Sequence, residues 1–202
     1  MNLGIFSTFW DGNPNHLPFL SLLQLPDDES QNFNLTLSFA KLEDILESNT
    51  VQSIYKGIKL LLNQENWIMH LVTAVSLLFI KQSTRESVND LFWERLSRGI
   101  WFSPQILVAL SKCDPSYDEK AGKILIEGLK ISYAPLTAVD HHIARGVPAA
   151  VFENKTIAAT NYLLHNVIED NADNDYGTSL AQNWQEKLHQ LQKENKLKFE
   201  IS

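Results

Sequence analysis

The chain has 202 residues, 44% hydrophobic and 20% charged, which is enough apolar material for one ordinary core and too much for a disordered chain. Its formal charge of −7 comes from 17 basic and 24 acidic residues and is unevenly placed. Residues 1–40 hold Asp11, Asp27, Asp28 and Glu29 and no Lys or Arg; Glu169, Asp170, Asp173 and Asp175 crowd into a second short segment; the remaining 16 acids face all 17 bases. Nucleic-acid binding needs basic patches that neutralise phosphates, so this balance argues against it and leaves a cationic partner open.

The single Cys113 excludes an internal disulfide framework, and a small packing residue is the ordinary role for it. The first basic residue is Lys41, and Pro14 and Pro18 interrupt the early apolar residues, so the start reads as neither a secretory signal nor a transit peptide. The uncharged apolar stretch 67–80 is shorter than the about 20 residues a bilayer requires. A cytoplasmic protein without a membrane partner is the expectation.

Residues 1–37 combine Pro14, Pro18 and Pro26 with Phe6, Phe9, Trp10, Phe19 and Phe33. Prolines punctuate and aromatics seek burial, so an irregular lead segment packed onto the body is expected, with a short strand at 34–37. From residue 38 a single all-helical domain is expected to run to residue 202. Phe39, Leu42, Ile45 and Leu46, then Val51, Ile54, Ile58, Leu61 and Leu62, recur at three- and four-residue steps. Residues 66–81 are apolar nearly all round and should form a central helix. Ser83 or Thr84 is placed to cap the next helix, which should stop near Gly99. Ser103 and Pro104 open another. Beyond Asp114-Pro115 the helical pattern resumes to about residue 132. Shorter segments at 136–145 and 153–169, a polar loop at 170–177, a helix at 178–195 and a strand at 198–201 complete the reading.

Several residues recur at a fixed interval. Trp67 and Trp101 lie 34 apart, Ala74 and Ala109 lie 35 apart, and Glu94 and Glu127, Leu96 and Leu129, and Leu91, Ile124 and Ile157 follow a 33-residue step. The units are 65–99, 100–133 and 134–168, each two antiparallel helices, with 38–63 as one more. With Pro104 near the start of one unit and Asp114 at its turn, residues 50–168 resemble HEAT-type helical repeats. The resemblance implies an all-α fold of antiparallel helical hairpins, an α-α superhelix or bundle, and a binding scaffold without catalytic machinery.

No residue pattern names a chemistry. Asp140, His141 and His142 are the one compact group with metal-ligand potential, but adjacent helical residues point about 100° apart, so they read as surface or packing groups rather than as a metal-dependent hydrolase site. The stretch from Asn171 to Gly177 is similar to a calcium loop but has Tyr176 and Gln182 where Gly and a bidentate Glu are needed. Glu86, Asp90 and Glu94 along one helix read as a solvated face. No catalytic residue, metal or cofactor is therefore assigned. In size, acidity and absence of motifs the chain resembles small acidic bacterial immunity proteins, which implies a non-enzymatic toxin inhibitor whose partner is a basic protein, such as a nuclease. The partner-binding residues expected on that basis are Trp10, Asp11, Asp27, Asp28, Glu29, Glu169, Asp170, Asp173 and Asp175. A helical scaffold or oligomer subunit with no toxin link is the alternative.

Overall fold

A computed structural model describes residues 3–10, 16, 18–19, 34–64, 66–129, 149–195 and 197. Every regular element among them is helical. After a 3-10 helix at Gly4–Phe9 come α1 (Leu35–Glu47), α2 (Val51–Leu62), α3 (Trp67–Phe79), α4 (Gln82–Leu96), α5 (Ser103–Cys113), α6 (Tyr117–Glu127), α7 (Ala149–His165), a 3-10 turn at Ala172–Asn174, and α8 (Gly177–Lys193).

The helices start where side chains can satisfy their first amides. Asn34, Thr50 and Asn66 cap α1, α2 and α3, accepting from the backbone N–H of Leu37, Ser53 and Ile68. Asn34 thereby overturns the strand expected at 34–37: its carboxamide completes a helical turn that a four-residue alternation cannot outweigh. The caps expected at Ser83, Thr84 and Ser103 are also displaced. α4 starts after Lys81, and Ser103 is itself the first residue of α5, beside Pro104. α6 stops at Glu127 rather than near residue 132, because Gly128 turns the backbone to φ +74°. The helix expected at 136–145 and the strand at 198–201 lie outside the described residues.

α1, α3 and α5 start at residues 35, 67 and 103, and α2, α4 and α6 at 51, 82 and 117, so equivalent helices step by 31 to 36 residues. Packing follows that step. α1 lies on α3 and α3 on α5, while α2 lies on α4; α5 also packs on α7, which starts 46 residues after it. Successive helices touch as well, at α2–α3, α4–α5, α5–α6 and α6–α7. This is stacking of helical hairpins, and it places α3 and α5 at the centre. All ten residues from Met69 to Leu78 are buried, and so are residues 103–110 and Cys113. The hydroxyls buried in α3 are satisfied within the helix: Thr73 Oγ1 donates to His70 O and Ser76 Oγ to Val72 O, each at 2.7 Å. Buried Arg85 donates to Ile80 O at 2.7 Å and Leu78 O at 3.3 Å, tying the C-terminal carbonyls of α3 to α4.

The lead packs where its aromatics suggest. Phe6, Phe9 and Phe19 are buried, and ring contacts run from Trp10 through Phe9, Phe19 and Phe39 to Phe79. Gly57 makes room for it, since a Cβ there would come within 2.9 Å of Ile5 and Phe6.

Candidate functional site

α7 and α8 pack against each other, and the chain between them does not simply swing through solvent. It returns along α7 and is held there at several points. Asn171 accepts from the N–H groups of Asp173 and Asn174, and the Asn174 carboxamide answers the Asn171 N–H, closing a capping box around the 3-10 turn. Asn174 Nδ2 also donates to Glu169 O. Asp170 sits over the start of α8, accepting from Thr178 N at 3.0 Å and Ser179 N at 2.9 Å and from the Ser179 hydroxyl. A carboxylate there meets the positive end of the helix dipole and satisfies amides that Tyr176, at the cap position, leaves open.

Asp175 has a different task. Its Oδ2 accepts from Lys155 Nζ at 2.6 Å, and the Lys155 side chain is only 4% exposed. The same ammonium lies 4.9 Å from the centre of the Trp101 ring, which packs T-shaped against Phe152. Burial pulls the Lys155 pKa below its ordinary 10.5, against the opposing pull of Asp175. Gly177 closes the arrangement. It presses on the α7 backbone so tightly that a Cβ would stand 2.2 Å from Lys155 O.

Of the four acids expected to contact a partner in this segment, Asp170 and Asp175 thus hold the fold. Glu169 and Asp173 are exposed. Beside them the loop presents apolar side chains to solvent: Ile168 is 67% exposed, Tyr176 58% and Val167 37%. Asn166, Asp175 and Tyr176 all have positive φ, of 56°, 47° and 56°. Such conformations in non-glycine residues persist where the surroundings enforce them and concentrate at functional positions. Ile168 and Tyr176 are thus exposed on the same loop as Glu169 and Asp173.

Trp10 is half-buried, stacked on His16 at 5.1 Å, so it serves the packing of the lead. Asp11, Asp27, Asp28 and Glu29 lie outside the described residues, as do Asp140, His141 and His142. Among the described residues no cluster of His, Cys, Asp or Glu is placed to hold a metal, and no helix is long and apolar enough to cross a membrane. Cys113 is buried, donates to Leu77 O at 3.5 Å and has its pKa raised to about 11 by burial, which leaves no reactive thiolate. Asp114 is a structural acid. It accepts from Trp93 Nε1 at 2.7 Å, from Ser116 N and Oγ at 3.0 and 2.8 Å, and from Lys120 Nζ at 3.3 Å.

Sequence reasoning missed Ile168, Tyr176, Lys155 and Gly177. One signal was available for Lys155: it stands among Thr156, Ala158 and Ala159 on the buried side of an otherwise readable helix. No family model matches the chain, and no curated protein and no solved structure matches it.

Proposed function

We propose that the protein is a non-catalytic binding module that grips a basic protein partner through the α7–α8 loop, on a scaffold of HEAT-like helical hairpins. The observation that carries this reading is the exposure of Ile168 and Tyr176 beside Glu169 and Asp173 on a loop fixed to α7 and α8 by the Lys155–Asp175 pair and the Asp170 cap. Aromatic and aliphatic anchors give a contact its lifetime, and surrounding charge selects and steers the partner. A pre-formed loop avoids much of the ordering cost that a mobile one would meet on binding.

The concrete form we favour is an immunity protein that neutralises a basic toxin, such as a nuclease, by covering it. The overall charge of −7 supports a cationic partner, and long-range attraction of that kind speeds encounter. The product of the gene adjoining this one is the partner to test first. Surface plasmon resonance with the two purified proteins should show a complex whose association rate falls as salt is raised. Absence of a complex with that product would remove the toxin-neutralising form.

A further inference from the structure

Tyr176 is bracketed by a single distant residue. On one side, the ammonium of Lys155 holds the carboxylate of Asp175 at 2.6 Å; on the other, the carbonyl of the same Lys155 abuts Gly177 at a distance no β-carbon could share. Between them Asp175 and Tyr176 take consecutive left-handed conformations, which a free chain of non-glycine residues does not sustain unaided. The flanking devices act elsewhere: the capping box ties residues 171 and 174 together, and Asp170 fixes residues 178 and 179. The lysine is itself immobilised, with its side chain 4% exposed and its charge over the Trp101 ring.

We infer that Lys155 is a positioning residue for the contact loop: clamped between Trp101 and Asp175, it holds residues 175–177 in their partner-ready conformation in the free protein. This rests on the reading of the loop as the contact surface and adds that the surface is built before any partner arrives. An unpaired buried ammonium would be strongly disfavoured, so the burial of Lys155 and the conformation of Asp175 depend on one another.

The test uses the full-length protein alone. Amide hydrogen exchange is followed by NMR in the wild type, Lys155→Met, Asp175→Asn and the double variant. Lys155→Met keeps the length and apolar contacts of the side chain and removes its charge. The amides of Asp175, bonded to Ala172 O, and of Leu180, bonded to Tyr176 O, should exchange about tenfold or more faster in either single variant, while those of α3 and α5 keep their protection. The double variant should be no worse than Lys155→Met, because the pair acts as a unit. The wild type should also show a slowly exchanging lysine ammonium resonance that disappears in Lys155→Met and weakens in Asp175→Asn. Unchanged loop protection in Asp175→Asn overturns the inference, as do additive effects in the double variant. Should Lys155→Met fail to fold, Asp175→Asn decides alone. Because no partner enters the measurement, its outcome is separate from whether the loop binds a protein.

Discussion

Gly177 offers a sharp test of how the loop is seated, because the same substitution elsewhere in the chain should have the opposite sign. In Gly177→Ala the new methyl would lie 2.2 Å from Lys155 O, 3.0 Å from its carbonyl carbon and 3.1 Å from its Cα. All three atoms belong to the backbone of a 17-residue helix, so no side chain can rotate aside. Relief requires the loop and α7 to separate by roughly 1 Å, and overpacking of this kind costs about 1–3 kcal/mol. Alanine's better helix propensity recovers about 1 kcal/mol at most, and less in a first turn. The net loss should be about 1–2 kcal/mol, which for a chain of this size lowers Tm by about 2–8 °C. Gly122 is the control. It lies inside α6 with nothing within 4 Å of its would-be Cβ, so Gly122→Ala should stabilise the protein by about 0.5–1 kcal/mol. Urea unfolding followed by far-UV circular dichroism gives both values. Equal or greater stability in Gly177→Ala would refute the close seating of the loop on α7.

Two further effects follow from buried polar groups. His70, buried in α3 and donating from Nε2 to Gln64 O at 2.8 Å, has its pKa pulled to about 3 by burial and by the nearby charge of Arg95. Its folded pKa lies below the unfolded 6.5, so its contribution is complete above pH 6.5 and is lost as pH falls towards 3; stability measured against pH should decline through that window, and less steeply in His70→Gln. For Asp114, burial pushes the pKa up, but the hydrogen bonds from Trp93 and Ser116 and the charge of Lys120 outweigh it and hold the group below its usual 3.8. Asp114→Ala strands the Trp93 and Ser116 donors and should cost about 2–4 kcal/mol in denaturant unfolding, whereas a loss below about 0.5 kcal/mol would show that the network carries no stability.

The helical class and most helix positions were legible because α1, α2 and α4 each expose one face, so their apolar residues fall at helical spacing. α3 was legible for the opposite reason, being apolar on every side. Boundaries were harder. Asn34 reads as the start of a short strand until its carboxamide is seen closing the first turn of α1, and the turn at Gly128 ends α6 while apolar residues continue beyond it. The site was half legible. Glu169, Asp170, Asp173 and Asp175 stood out as a group, but nothing local separates the two that fold the loop from the two that face solvent. That distinction depends on the chain returning to a lysine 20 residues earlier, a contact no short window contains. Tyr176 and Ile168 were invisible for a related reason: whether an apolar residue is buried or presented is settled by tertiary packing, and the sequence pattern there carries no period.

Binding through the α7–α8 loop can be tested directly. The measurement is the Kd of the complex with the adjoining gene's product, for the wild type and for two variants that spare Lys155, Asp170 and Asp175. Tyr176→Ala should weaken binding by about 30-fold or more, mainly through faster dissociation, and Glu169→Lys with Asp173→Lys should slow association and flatten its salt dependence. A wild-type complex whose Kd is unmoved by either variant would contradict the central claim.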